Sequence, residues 1–430
     1  MSAADTIFAL SSGAPPAAIA IIRISGPAAF EAVKLLAGRL PVARRASLVT
    51  LRDSRGGELD RALALTFPGP NTATGEDLAE LHLHGGRAVV RAVEAALAAH
   101  PSLRRAEAGE FTRRAFLNGR LDLNEAEGLA DLLTAETEWQ RRAASAMMIG
   151  AFSARIEEWR QEVLRLSAMT EAELDFSDEG DVEPQNKADI SIVCLKLHDA
   201  ITQLIEAPAA EKLRDGLRIV LGGPPNSGKS TLLNALVARE AAIVSDIAGT
   251  TRDMIEIPVA LEGIPLLFID TAGLRDSTDD AIEAMGIERT RLAMDGADMI
   301  LWLGGEADGP DHPGLIEVEA KADDHAHIVK GETAFRVSAM NGEGMAALLG
   351  EVVRRAKILL PPPDQFAVNQ RQRALLTECA EALNGATRQT DWLIVAEQLR
   401  QARLSLDAVT GRAHTEDMLD MLFGRFCVGK

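Results

Sequence analysis

Leu217-Arg218-Ile219-Val220-Leu221-Gly222 leads into Gly223-Pro224-Pro225-Asn226-Ser227-Gly228-Lys229-Ser230 and then Thr231-Leu232-Leu233-Asn234-Ala235-Leu236. A short apolar run, a loop bracketed by glycines and an apolar-periodic stretch read as strand, phosphate loop and helix. Backbone N–H groups of such a loop, together with the helix N-terminus, face phosphate oxygens. Lys229 adds a point charge for the β- and γ-phosphates, and the Ser230 hydroxyl is a ligand for Mg²⁺. Asn226, Ser227, Gly228 and Thr231 complete the nucleotide-binding candidates here.

Two further elements follow in order. Gly249-Thr250-Thr251-Arg252-Asp253 lies in a polar loop after the helix, where a threonine can give Mg²⁺ a second hydroxyl and meet the γ-phosphate. Asp270-Thr271-Ala272-Gly273 follows the apolar run Leu266 to Ile269. Asp270 suits the Mg²⁺ shell, and the Gly273 N–H can meet the γ-phosphate. Three elements at this spacing point to a GTPase-type site. Base selection falls to Ala320-Lys321-Ala322-Asp323, after the strand Leu315 to Glu319. The usual guanine strip is Asn-Lys-x-Asp, so Ala320 stands where an asparagine is expected. Asp323 can accept from N1–H and N2–H of guanine, which adenine lacks. Lys321 can lie over the base, and the backbone of Ser338-Ala339 can cap the base carbonyl. A solvated charged loop is the alternative reading. Leu274 stands where many GTPases carry a water-orienting glutamine, so the catalytic device must lie elsewhere. The Asn226 amide oxygen can hold a monovalent cation beside the phosphates, or Asn226 is a plain loop asparagine.

Outward from this unit, residues 1–118 read as mixed α and β. Strands are expected at Ala18 to Ile24, Ala62 to Phe67 and Glu80 to His84, with a helix from Ala88 to Ala99. Residues 119–214 read as helices, with one apolar stripe through Leu121 to Leu133 and a longer one from Trp139 to Leu166. Asp175 to Pro184 reads as a connection. Residues 215–358 alternate apolar runs with helical stretches, which is the pattern of a parallel sheet with crossover helices. Pro361-Pro362-Pro363 ends that unit. Residues 359–430 are helical again, at Arg371 to Thr387 and Asp391 to Val409. The α/β unit therefore reads as an insertion in a helical domain, with a separate helical tail as the weaker alternative.

Composition excludes several classes. The chain has 430 residues, 47% hydrophobic, enough for about three domains. No apolar run reaches the roughly 18 residues needed to span a bilayer, and Ala17 to Ile22 is broken at once by Arg23, so no membrane span and no secretory leader are expected. Three cysteines, Cys194, Cys379 and Cys427, are too few and too far apart for a disulfide framework or a cysteine-rich zinc site, and they fit a reducing cytoplasm. The net charge of −19 argues against a broad nucleic-acid surface. His82 and His84 alternate on a strand. With no other His or Cys at ligand spacing, a strand face is favoured over metal ligation.

The chain resembles the MnmE (TrmE) family of tRNA-modification GTPases over essentially its whole length. The resemblance rests on Ile22-Arg23-Ile24-Ser25-Gly26, Phe67-Pro68-Gly69-Pro70 with Thr74-Gly75-Glu76-Asp77, His84-Gly85-Gly86, Gly109-Glu110-Phe111-Thr112 with Arg114-Ala115-Phe116-Leu117-Asn118-Gly119, and the terminal Phe426-Cys427-Val428-Gly429-Lys430. It implies an N-terminal α+β folate-binding domain that dimerises, a helical domain, and a Ras-like P-loop GTPase domain inserted in it. It implies GTP hydrolysis coupled to K⁺-dependent pairing of GTPase domains. Asn226 would be the side-chain ligand of K⁺, with backbone oxygens of Ser245, Ile247 and Thr250. Ser230 and Thr251 would hold Mg²⁺, and Asp246, Ala248 and Gly249 lie in the same nucleotide-contacting loop. Glu283 matches the glutamate that orients water through a bridging water; an exposed helix-start carboxylate is its alternative. The resemblance further implies a homodimer and a complex with the FAD-dependent flavoprotein MnmG (GidA). That complex adds a (carboxymethyl)aminomethyl group at C5 of the wobble uridine of tRNA, using a 5-formyl- or methylene-tetrahydrofolate one-carbon unit. Folate contacts would be Arg23, Glu80, Arg120 and Lys430, with Arg120 where the family usually has lysine. Cys427 matches the family cysteine near the modification site; on sequence alone a buried structural role is equally open. An Era-like ribosome-assembly switch is the competing class, and it would carry a basic RNA-binding module that this charge balance disfavours. A scaffold whose nucleotide site only controls dimerisation is the third.

Overall fold

The protein is described by a computed structural model over residues 5–176, 187–239, 255–270, 290–306, 308–324, 329–362, 365–413, 416–424 and 426–429. It divides into two compact units, Met1–Ala130 with Asp407–Lys430, and Asp131–Leu406.

In the first unit β1 (Thr6–Leu10), β2 (Ile19–Ser25), β3 (Ser47–Arg52), β4 (Glu58–Phe67), β5 (Leu78–His84) and β6 (Leu103–Arg105) form one sheet in the order β3-β4-β5-β2-β1-β6. All pairs are antiparallel except β1 with β6. The period of two along β2 sends Ala20, Ile22 and Ile24 into a core shared with Leu81 and Leu83 of β5. Val33 of α1 (Ala29–Ala37) and Val90, Val93 and Leu97 of α2 (Arg87–Ala98) close it. Each fully buried Ile or Leu there contributes roughly 1.5–3 kcal/mol. Arg23 and Glu80 take the opposite face as direct register partners. Helix α3 (Glu110–Leu117) and the start of α4 (Leu123–Thr134) follow. The C-terminal helix Glu416–Phe423 returns to them, burying Leu419 and Phe423 with Leu123 and Ala126.

In the second unit the Trp139 to Leu166 stripe divides between α5 (Glu138–Met148) and α6 (Ala151–Phe176), because the chain turns at Gly150, whose φ is 79°. Thr137 and Gln140 start α5 with a reciprocal capping box. Helix α6 continues through Asp175 and Phe176, so the expected connection begins later; its remainder lies outside the described residues. Helices α7 (Lys187–Glu206) and α8 (Ala210–Asp215) lead to a second six-stranded sheet.

Its strands β7 (Leu217–Gly222), β8 (Ile255–Leu261), β9 (Ile264–Asp270), β10 (Met299–Trp302), β11 (Leu315–Glu319) and β12 (Phe335–Arg336) run in the order β12-β11-β10-β7-β9-β8. Central β7 is buried on both faces, as a continuous apolar run in a parallel sheet should be. The sheet departs from the all-parallel expectation at its edge, where β8 pairs antiparallel with β9. Glu262 and Gly263 join them with φ of 48° and 77°, the positive pair that a two-residue hairpin of matching twist requires. Pro258 is tolerated because β8 is an edge strand. Helices α9 (Lys229–Arg239) and α10 (Met345–Leu359) follow β7 and β12. Leu360 is extended ahead of Pro361, as a residue before proline must be.

The flanks of this α/β stretch meet. Arg373 Nη2 donates to the Ala207 carbonyl at 2.9 Å, and the Gln370 N–H to Glu211 Oε1 at 2.7 Å. These bonds tie α11 (Gln370–Arg388) to the α7–α8 connection and to α8 itself, and α12 (Trp392–Val409) follows. The protein is thus α/β and α in class with an α+β N-terminal part. Among the described residues no helix is long and apolar enough to cross a membrane.

Candidate functional site

The loop after β7 is shaped by three residues of positive φ: Gly223 (142°), Asn226 (61°) and Gly228 (98°). Asn visits the left-handed region at little cost, whereas a side chain at Gly223 would lie 3.0 Å from the Gly304 nitrogen. Close approach of backbone to backbone is therefore built into the loop. Helix α9 starts at Lys229, so its free N–H groups point into the same turn. Lys229 is buried, and its Nζ donates to the carbonyls of Gly223 (3.0 Å) and Pro224 (2.9 Å). Ser227 Oγ is buried without a hydrogen-bond partner, an orphaned polar atom inside the turn. Ser230 Oγ donates to Asp270 Oδ2 at 2.6 Å, and Asp270 is 2% exposed at the end of β9. A hydroxyl and a carboxylate side by side are hard oxygen donors and suit Mg²⁺. The loop, the orphaned hydroxyl and this donor pair fit a magnesium-bound polyphosphate.

Beside the loop lies a cavity of about 240 Å³, lined among others by Gly228, Thr231, Lys321, Asp323, Ala339 and Met340. Lys321, itself at φ 59°, donates through Nζ to the Asn226 carbonyl at 2.7 Å, joining the base strip to the phosphate loop. Ser338 does not line the cavity. Its hydroxyl accepts the N–H groups of Met340 and Asn341, fixing the turn that presents Ala339. Sequence reasoning missed Met340, which is 80% exposed at the rim, and Asp324 next to Asp323. Their only signal was adjacency to the residues singled out. Ser245, Asp246, Ile247, Ala248, Gly249, Thr250 and Thr251, then Thr271, Ala272, Gly273 and Glu283, lie outside the described residues.

In the first unit Arg23 Nη2 and Glu80 Oε1 are 2.9 Å apart, and Arg23 lies 5.8 Å over the Phe111 ring. His82 Nε2 is 3.3 Å from Glu80 Oε2, and His84 Nδ1 is 2.7 Å from Asp60 Oδ1, so both histidines are engaged with carboxylates on the strand face. No cluster of His, Cys, Asp or Glu suited to a metal occurs among the described residues. Arg120 is exposed, and the left-handed Gly75 abuts it: a Cβ there would lie 3.3 Å from Arg120 Cγ. Lys430 lies outside the described residues, and residues 426–429 before it are tied to other parts of the chain. Val428 bridges Ala108, the Gly109 N–H donates to the Cys427 carbonyl, and Ser11 Oγ donates to the Gly429 carbonyl at 2.7 Å. Cys427 is exposed, which removes the buried structural reading for it. Cys194 and Cys379 are buried in α7 and α11, and burial pushes their thiols up to about 11 and about 12, so neither is a nucleophile.

A charged network that the sequence did not reveal holds this end together. Arg114 pairs with Asp5, Glu76 and Glu110, while Arg104 pairs with Asp5 and Glu110. Burial pushes Glu110 up, but hydrogen bonds from Arg104 and from the Glu107 N–H outweigh it and hold the carboxyl below its ordinary value. Asp5 is shifted the same way, burial opposing and Arg104 and Arg114 prevailing. Ser25 Oγ donates to Glu76 at 2.7 Å, and Asn118 Nδ2 to the Thr74 carbonyl, so the network fixes the 68–77 loop against the segment carrying Arg120.

Against known proteins, residues 6–120 match the family model described as the GTP-binding protein TrmE N-terminus, and residues 123–427 match that of the MnmE helical domain. A tRNA modification GTPase MnmE from Novosphingobium aromaticivorans is 56% identical over 439 residues, covering 99% of this chain and 100% of the relative. One from Erythrobacter litoralis is 56% identical over 429 residues, and one from Zymomonas mobilis 49% over 433, each covering 99% of this chain and 100% of the relative.

Proposed function

The chain belongs to the MnmE family of tRNA modification GTPases, and on that premise we propose that its GTP cycle is potassium-dependent and drives modification of the wobble uridine. The protein is a GTP hydrolase acting in tRNA modification, and it carries a P-loop GTPase fold. The observation that carries the finer reading is the phosphate loop Gly223 to Ser230, with Lys229 buried in it, Ser230 on Asp270, and the base cavity of Lys321 and Asp323 alongside.

In this reading Lys229 and the loop N–H groups, with Ser227, Gly228 and Thr231, orient the β- and γ-phosphates, and Asp323 accepts from the guanine edge. Ser230 and Thr251 would hold Mg²⁺, and Asn226 with the backbone of Ser245, Ile247 and Thr250 would hold K⁺, cations whose charge would neutralise the negative charge that phosphoryl transfer develops. Glu283 orients the attacking water, the role Leu274 cannot fill. The Asp246, Ala248 and Gly249 loop and the Thr271, Ala272 and Gly273 turn close on the γ-phosphate, and two GTPase domains pair in a homodimer during hydrolysis. Arg23, Glu80, Arg120 and Lys430 hold a tetrahydrofolate derivative, which supplies the one-carbon unit, and Cys427 lies beside the modification chemistry. The Arg23 guanidinium over Phe111, paired with Glu80, supports that placement, since a carboxylate acceptor and a guanidinium beside an aromatic ring suit a planar heterocycle rich in N–H groups. An FAD-dependent flavoprotein, MnmG, is the proposed partner in the cytoplasm.

A nucleoside digest of tRNA from cells lacking the chain tests this reading by mass spectrometry. The wobble uridine should lose its C5 substituent, the intact chain should restore it, and the Lys229→Met chain should not. Persistence of the substituent in the deletion contradicts the tRNA assignment.

A further inference from the structure

The base strip has Ala320 where an asparagine is expected, and a methyl side chain makes no hydrogen bond to the chain around it. The chain around it is nevertheless fixed. Glu319, the last residue of β11, is 6% exposed, and its carboxylate accepts the Lys330 N–H at 2.9 Å. Its carbonyl accepts the Val337 N–H at 2.8 Å, and the Val337 carbonyl accepts the Ala322 N–H at 3.0 Å. Lys321 to Asp323 therefore hang from a hinge made by Glu319 and Val337.

Lys330 locks that hinge from behind. Its side chain is 1% exposed, its ammonium donates to the Trp302 carbonyl at the end of β10 at 2.8 Å, and it is ion-paired with Glu317 of β11. The next N–H, of Gly331, donates to Glu306 Oε2 at 3.0 Å, and Arg336 of β12 lies 3.6 Å from the Glu319 carboxylate. One buried lysine thus stitches β10 and β11 together, and the segment it leads is joined to the strand ends that frame the cavity. Burying an ammonium is costly unless it is paired and hydrogen-bonded, as Lys330 is by Glu317 and the Trp302 carbonyl. An apolar side chain of the same length would fill the space without fixing the strand ends.

We propose that Lys330, with Glu317 and Glu319, is a positioning clasp for guanine recognition that takes over the tethering an asparagine at position 320 would give. The proposal rests on the reading of Lys321 and Asp323 as the base strip. Lys330 is not among the residues lining the base cavity; it acts by holding Asp323 at the angle needed to accept two hydrogen bonds at once.

The test is equilibrium titration of the full chain with fluorescent N-methylanthraniloyl GDP and ADP in Mg²⁺, for the parent, Lys330→Met, Ala320→Asn, their double variant and Asp323→Asn. Lys330→Met should lower the GDP-to-ADP affinity ratio by about tenfold while leaving the weak ADP affinity within about twofold, because only base reading is disturbed. Ala320→Asn should add less than about twofold in the parent but restore about fivefold or more in the Lys330→Met background, a coupling that a general loss of stability would not produce. Should Lys330→Met fail to fold, Glu317→Gln, which keeps the volume and removes only the charge, should lower the ratio in the same direction. An unchanged ratio in the folded clasp variants, with Asp323→Asn abolishing preference, overturns the clasp. An unchanged ratio in Asp323→Asn overturns the base strip itself.

Discussion

Replacing Arg114 by methionine removes the hub of the buried charge network while keeping much of the side chain's volume. Arg114 and Glu110 have side chains only 7% and 2% exposed, so solvent cannot take over the lost pairing. Removing one partner of a buried pair costs about 3–5 kcal/mol. Glu110 keeps Arg104, and Glu76 keeps Ser25, so the lower end, about 3 kcal/mol, is expected. For a unit of about 150 residues that is a fall of roughly 6–12 °C in its melting temperature. The chain offers an internal control. Its four tryptophans, Trp139, Trp159, Trp302 and Trp392, all lie within Asp131–Leu406, and it has no tyrosine. Tryptophan emission therefore reports the second unit, and far-ultraviolet circular dichroism reports both. The dichroism melt should gain an early component displaced by that amount, with the emission transition unmoved. Equal displacement of both probes, or none in the dichroism, refutes the assignment of the network to the first unit's stability.

The same network sets an acid limit. Asp5 and Glu110 are held below their ordinary values, so the unfolded chain binds protons there before the folded one does. Their contribution is present above the unfolded carboxylate range, near pH 4, and is lost as pH falls further; melts from pH 6 to 3 should show the first unit weakening at the acid end, and Arg114→Met should flatten that dependence. A thiol titration of the native chain should find one reactive cysteine, Cys427, since Cys194 and Cys379 are buried. Gly429→Ala should raise the Cys427 reaction rate several-fold, because φ is 97° and the added Cβ would lie 2.0 Å from the Leu10 carbonyl, expelling the tail; an unchanged rate would show that the Gly429 contact does not hold it. Ser230→Ala should leave Mg²⁺-free GDP binding in place and remove most of the gain that Mg²⁺ confers, which titrations with and without the ion would read.

The candidate phosphate site was legible as a motif because its signals are local. Strand β7, the glycine-bracketed loop and the start of α9 lie in one stretch, and the chemistry of Lys229 and Ser230 follows from their place in it. The antiparallel β8 was not legible, since its pairing depends on the two-residue turn at Glu262-Gly263, which lacks the usual Asn-Gly or Asp-Gly signal. Short β1 and β6 carry too few residues to show a period. The network of Asp5, Glu76, Arg104, Glu110 and Arg114 joins residues up to 109 positions apart, and Ser11 meets Gly429 across 418. No spacing rule reaches such pairs; only the folded backbone brings them together. Lys330 escaped notice for the same reason, being one charged residue in a polar stretch until burial singles it out.

Calorimetric titration of GDP into the full chain and into Lys229→Met, with Mg²⁺ present, tests the central claim most directly. The parent should bind about one nucleotide per chain, and the variant should lose about 1.5–3 kcal/mol of affinity, the worth of hydrogen bonds to a charged group. Equal binding by the two chains, or no heat from the parent, would contradict a phosphate site built on Gly223 to Ser230.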